Sequence, residues 1–186
     1  MMMKRRRLQK TDYDNRLKLL KSGKLRLVLR RRHNNIHVQF VQYGFNGDKT
    51  LIEDVSRNLA KHGWKLHGGG TQAAYLTGLM AGVKAKGKGI HDCIVDVGLH
   101  TQGSNVLYAA AKGVANSGVH VPICFELDEK RIKGSYVANY VKSMKGKKTH
   151  QFAKYAREGI TPESLEKHFD EVKSSIMKKK EEIAKR

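Results

Sequence analysis

Proline and cysteine are scarce in this chain of 186 residues, with two of each. The cysteines, Cys93 and Cys124, lie far apart with no C-x-x-C pairing, which excludes both a disulfide framework and a zinc site. Cys93 stands in an apolar, strand-like run and reads as a buried, inert thiol, which points to a reducing, cytoplasmic setting. The prolines mark two breaks, Pro122 near residues 119–125 and Pro162 at the head of the last helix. No run approaches the roughly 20 apolar residues that span a bilayer. The first ten residues, MMMKRRRLQK, carry no apolar stretch behind their charges and so are no secretory signal; that composition suits a nuclear-import patch or an RNA-binding arm. Acid is scarce too. Seventeen Asp and Glu face 37 Lys and Arg, a net charge of +20 that repels itself in a compact fold and calls for a polyanion. Nucleic acid is the first candidate and an anionic membrane surface the second.

The hydrophobic content of 39% allows a modest core, and the length suits one domain with appendages. Between Lys4 and Arg32 only Asp12 and Asp14 oppose thirteen cations. Residues 1–10 are expected as an arm without a core of its own. Thr11 and Asp14 suggest a capping box and Gly23 a stop, giving a helix over 12–22 with Leu17 and Leu20 inward. Leu25, Leu27 and Leu29, then Ile36, Val38 and Phe40, recur with period two. With turns at Asn34-Asn35 and Asn46-Gly47 they predict an antiparallel meander of strands 25–33, 36–43 and 49–55. SRNLAKHG is a short helix ended by Gly63, and Gly68, Gly69 and Gly70 form a flexible turn. Thr71 caps a helix over 72–86 with Leu76, Leu79, Met80 and Val83 on one stripe. A strand over 91–98 and a helix over 104–117 follow, then polar helices over 128–143, 146–158 and 162–184. The last has Leu165, Phe169, Val172 and Ile176 at helical spacing. The expected organisation is a basic arm and helix (1–24), an α/β core (25–125) and a helical extension (126–186). The fold class is α/β, a mixed sheet of the meander plus a further strand, packed with helices.

Several motifs compete for a function. Gly98 and Gly103 outline a P-loop at a strand-to-helix turn, but Ser104 and Asn105 stand where lysine and a metal-binding hydroxyl are required, and Lys112 lies two turns on. The outline therefore lacks its chemistry-bearing half, although a helix start can still hold an RNA phosphate, with His100, Asn105 and Tyr108 nearby. Gly68, Gly70 and Ala73, with Asp92 about twenty residues on, imitate a dinucleotide fingerprint; the preceding WKLH is too short and polar for the central strand of such a unit. Asp92 and Asp96 share one strand face, which invites a carboxylate pair, but pairing with nearby cations is the simpler reading. Nine histidines show no ligand spacing. Trp64 and most tyrosines read as core or interface residues. The hairpin RRRHNNIH is the strongest local signal. A solvated cationic edge that blocks aggregation needs fewer charges than Arg30, Arg31 and Arg32 beside His33, Asn34, Asn35 and His37. The set supplies guanidinium forks for phosphate and amides for RNA grooves or loops.

The segments TDYDNRLKLLKSGKLRLVLRRRHNNIHVQFVQY, GDKTL, AAYLTGLMAGVKAKGKGI, VDVGLH and GSNVLYAAAKGVANSG, in that order, closely resemble the archaeal/eukaryotic form of large-subunit ribosomal protein eighteen. The resemblance runs from about residue 4 into the last helix, and the length fits the archaeal form. It implies a structural, non-catalytic protein without cofactor or metal, working in the cytoplasm on the large ribosomal subunit. It implies binding to 5S rRNA, attachment of that RNA to the large rRNA in the central protuberance, and neighbouring ribosomal proteins there, family five among them. Carried over by motif, the RNA-facing residues are Arg5, Arg6, Arg7 and Lys10 of the arm, and Tyr13, Arg16 and Lys21 of the first helix. The hairpin contributes Arg30, Arg31, Arg32, His33, Asn34, Asn35, His37 and Gln39. His100, Ser104, Asn105, Tyr108 and Lys112 complete the set. A non-ribosomal RNA binder or RNA chaperone is the alternative, and a nucleotide-binding enzyme using Gly98–Asn105 a more distant one.

Overall fold

A computed structural model describes residues 4–100, 104–124, 126–143, 157–159 and 164–184. Strand β1 (Arg26–Arg31) pairs antiparallel with β2 (Ile36–Gln42), which pairs antiparallel with β3 (Lys49–Val55). A short β4 (Ile94–Asp96) joins β1 in parallel, so the order is β3-β2-β1-β4. The meander is the one that the period-two pattern predicts, and the parallel β4 makes the sheet mixed, as the resemblance implies. β4 has three residues rather than eight because it pairs only with Arg26, Leu27 and Val28. Register Leu27↔Phe40 and Leu29↔Val38 puts the apolar set on one face, where all four are fully buried.

Seven α-helices and one 3₁₀ helix accompany the sheet among the described residues. The N-terminal segment holds α1 (Lys4–Arg7) and α2 (Tyr13–Leu20). The 3₁₀ helix Ser56–His62 ends at Gly63, whose φ of 91° favours glycine. On the apolar face lie α3 (Thr71–Gly87) and α4 (Asn105–Asn116). They meet backbone to backbone: a Cβ at Gly78 would lie 2.0 Å from the Ala110 carbonyl oxygen. Helix α3 is buried almost all round rather than along the expected stripe, since the sheet, α4 and the C-terminal helix enclose it. Its N-cap is Gly70, and Thr71 begins the helix without a side-chain cap.

The helix expected over 128–143 is two, α5 (Glu129–Lys133) and α6 (Ser135–Ser143). Gly134 separates them with φ 94°, and a Cβ there would lie 2.1 Å from Gln72 and 2.2 Å from Leu165. The helix expected over 146–158 falls outside the described residues save its last two, as does the Thr161-Pro162 start of the next. Helix α7 (Leu165–Ala184) buries Leu165, Phe169, Val172 and Ile176 to 2% exposure or less, within the same core cluster as the sheet. Each such side chain favours the folded state by roughly 1.5–3 kcal/mol relative to exposure.

Candidate nucleic-acid interface

Alternation along β1 turns Arg26, Val28 and Arg30 to the face away from the helices, opposite Val41, Gln39 and His37 of β2. Such a face is normally wet, yet Arg26 is 4% exposed and Val28 8%. The N-terminal segment is what covers them. Asp12, not Thr11, caps α2, its carboxylate accepting from the backbone N–H of Asp14 and Asn15 at 3.1 and 3.0 Å. The Thr11 hydroxyl instead accepts from Arg5 Nε at 2.9 Å. Leu17, expected inward, is 56% exposed. The ground beneath α2 is ionic, and Arg16 is the residue that reaches it, 2.9 Å from Asp48.

Asp48 and Asp96 organise that ground. Arg26 bridges them, paired with Asp48 and 2.9 Å from Asp96 Oδ2. Arg30 donates to the carbonyl oxygens of Leu29 (2.8 Å) and Asp96 (3.0 Å) and to Asp96 Oδ1 at 3.2 Å. The Gly98 N–H donates to the same Oδ1 at 2.9 Å. Gly98 has φ 63°, and a Cβ there would meet the Arg30 guanidinium at 2.9 Å. The first glycine of the P-loop outline thus serves an internal carboxylate and its arginine; Gly103 lies outside the described residues. Asp92, two residues before β4 and not on the same strand as expected, pairs with Lys24 and His120, whose hydrogen bonds hold its carboxyl below the usual range. The two acids therefore serve separate cations and form no acid–base couple.

Between the N-terminal segment and the sheet lies a cleft of about 510 Å³. Arg5, Lys10, Arg16, Arg26 and Arg30 line it against Asp12, Asp48 and Asp96, with Gln39 and His100 also at its wall. Six of the residues singled out in the sequence (Arg5, Lys10, Arg16, Arg30, Gln39 and His100) therefore converge. Lys21 is exposed and Tyr13 half-buried on α2, Arg7 is exposed, and Arg6 makes an exposed pair with Asp14.

The hairpin tip is a second group. Arg31, Arg32, His33 and Asn34 are exposed, and the Arg32 N–H donates to the Asn35 carbonyl oxygen at 2.8 Å. Neither Arg31 nor Arg32 has an ion-pair partner among the described residues. His37 faces Glu53 across the sheet, with Nδ1 3.2 Å from Oε1. The turn of three glycines, expected to be flexible, is packed against this tip: a Cβ at Gly68 would lie 2.8 Å from the Asn34 carbonyl oxygen. His67 from the same turn contacts Asn34 Oδ1 at 3.3 Å. Ser56 supports the tip, accepting from the Ile36 N–H at 3.1 Å and lying 3.4 Å from Asn35 Oδ1.

Ser104, Asn105 and Tyr108 are half-buried at the start of α4, where Ser104 makes no side-chain cap. Lys112 turns away from them and donates to the Leu127 carbonyl oxygen at 2.9 Å. Sequence reasoning missed Arg26, Asp48 and Asn15, because their meeting depends on strand order and on where α2 lies. Phe45, 96% exposed in the β2–β3 turn, is an apolar residue that the period-two pattern does not reach. Among the described residues no cluster of His, Cys, Asp and Glu could hold a metal ion, and no helix is long and apolar enough to cross a membrane.

Residues 1–89 match the family model described as ribosomal large subunit proteins 60S L5, and 50S L18. The match takes in the arm, α2, the meander, the glycine turn and α3.

Proposed function

We propose that this chain, whose residues 1–89 match the family model of ribosomal large subunit proteins 60S L5, and 50S L18, binds 5S rRNA and helps fasten it to the large rRNA in the central protuberance, beside the ribosomal protein of family five. The observation that carries this reading is the hairpin tip, where two arginines without an ion-pair partner among the described residues, a histidine and an asparagine project from a turn braced by Ser56, His67 and Gly68. Rigid support lowers the entropy lost when guanidinium forks engage phosphate, and the amides beside them offer hydrogen bonds to loop nucleotides. In this reading the arm and α2 (1–24) and the α/β core (25–125) meet RNA, and the helical extension (126–186) faces neighbouring ribosomal proteins. The protein acts as a structural part of a cytoplasmic ribosome of archaeal type. Nucleotide hydrolysis at Gly98–Asn105 is disfavoured, since the Gly98 N–H is committed to Asp96.

The test is competition between 5S rRNA and tRNA over a salt series. A preference for 5S rRNA that persists as salt rises supports the proposal. Equal affinities that collapse together favour a general RNA binder instead. With six to ten phosphates neutralised, the log–log slope is roughly −5 to −9.

A further inference from the structure

We propose that the cleft between the N-terminal segment and the open sheet face receives a single unpaired nucleotide of the bound RNA, base inward and phosphate on the cations. This rests on the RNA-binding reading and specifies the form in which RNA enters.

Three features of the cleft each match a different part of a nucleotide. Its inner end is apolar: Val28 and Val41 lie there on the sheet face away from the helices, 8% and 6% exposed, with Leu19 and Leu99 among the lining residues. A nucleobase inserted among these aliphatic side chains is taken out of water there. Also lining the cleft are the side-chain amides of Gln39 and Asn15, neither of which has a hydrogen-bond partner among the described residues. Each presents a donor and an acceptor, which suits a Watson–Crick edge. The third feature is charge. Five cations face three carboxylates, so the lining stays positive after every internal pair is made. The Lys10 ammonium has no partner among the described residues, and the buried Arg26 Nε–H lacks an acceptor among them, so the network is short of anionic oxygen. The cleft's size of about 510 Å³ lies inside the range of small-ligand sites, roughly 300–1,000 Å³. An acidic side chain from a protein partner would satisfy the cations but leave the apolar end and both amides unused. A nucleotide uses all three.

Chemical probing of the complex with 5S rRNA tests this. Base-edge reagents report the inserted base, and hydroxyl radicals report the backbone. Wild-type protein is expected to protect the edge of one or two unpaired bases. Val28→Trp, which fills the cleft, and Gln39→Ala, which removes the amide, should each abolish that protection. Affinity should fall by roughly 5- to 150-fold for the filled cleft, the range for losing one stacked base. Backbone protections that depend on Arg31 and Arg32 should persist in both variants. Gln39→Ala, a change at a half-buried position, carries the test if the tryptophan variant does not fold. Base-edge protection and affinity unchanged in Gln39→Ala and in a folded Val28→Trp would overturn the proposal while leaving RNA binding intact. So would a wild-type footprint of backbone alone. A wild-type protein that protects nothing would overturn the RNA-binding reading itself, and this proposal with it.

Discussion

Adjacent arginines in the hairpin do different work. Arg30 holds the turn after β4 through Asp96 and packs on Gly98, whereas Arg31 and Arg32 project from the tip. Replacing Arg31 and Arg32 with Glu should leave stability within about 0.5 kcal/mol. The same double change should lower RNA affinity by several kcal/mol, through lost charge-assisted contacts and repulsion. Arg30→Ala leaves the Asp96 oxygen and two carbonyls short of a donor and should cost about 1–3 kcal/mol of stability. Urea unfolding beside RNA titration separates the two roles; a large stability loss in the Arg31/Arg32 variant would show that the tip is structural. Asp54 is a different kind of residue, fully buried on the core side of β3 with Lys84 Nζ 2.5 Å away and Oδ2 unpartnered. Burial raises its carboxyl above the ordinary 3.8, while hydrogen bonds from Lys84 and Asn58 pull it back. A folded-state value above the unfolded one means the folded protein holds the proton more tightly, so this group's contribution to stability declines as pH rises from about 3.8 through the folded value. Asp54→Asn should therefore gain in urea midpoint relative to wild type over that window and hold a constant offset above it. An offset independent of pH would show that the carboxylate is not desolvated. Cys93 is buried with its thiol pushed up to about 12, whereas Cys124 is exposed. A disulfide reagent at pH 8 should titrate one thiol at once and the second only in denaturant.

At the scale of elements, the sheet was readable because its signal is local. Leu27, Leu29, Ile36, Val38 and Phe40 alternate, and alternation alone assigns them to one buried face. The stripe Leu165, Phe169, Val172 and Ile176 was readable for the same reason at helical period. Features that depend on a distant partner were not. Leu17 resembles a core residue until Asp48 draws Arg16 inward in its place. Gly134 lies within a polar helical pattern, and a φ of 94° together with contact to Gln72 and Leu165 requires a glycine there. The triple glycine reads as slack chain, although the hairpin tip crowds the space where side chains at 68 and 69 would stand. The candidate site follows this division. Its cationic residues are visible as a charge run, but the carboxylates that anchor them come from separate turns and strands. Gly78 tests the helix contact. Ala at 78 would press on the Ala110 carbonyl oxygen at 2.0 Å and should cost about 1–3 kcal/mol or more, read from urea midpoints. Ala at 70, where the nearest atom is 3.5 Å away, meets no clash and should cost only about 0.5–1 kcal/mol, as a poorer N-cap than Gly. Equal losses at both positions would mean that α3 and α4 do not meet as closely as this.

For the molecule as a whole, the excess of positive charge sets behaviour that no single contact explains. At +20 the folded chain repels itself, and the arm concentrates part of that charge where it supports no core. Residues 4–10 carry five cations, Lys4, Arg5, Arg6, Arg7 and Lys10, all exposed. Their internal side-chain contacts, Arg5 with Thr11 and Arg6 with Asp14, are exposed and contribute little. Deleting residues 1–10 should therefore leave the far-ultraviolet circular dichroism of the core unchanged. The melting temperature at low salt should hold or rise, because repulsion falls. RNA binding should respond in the opposite sense. Each cation that displaces a counterion from RNA contributes about 0.7–0.9 to the salt slope, so losing five can reduce its magnitude by up to about 4.5. A slope that shortens while the 5S preference over tRNA persists would assign the arm to general phosphate attraction and the preference to the hairpin and cleft. Loss of the preference with little change in slope would reverse that division and place recognition in the arm itself.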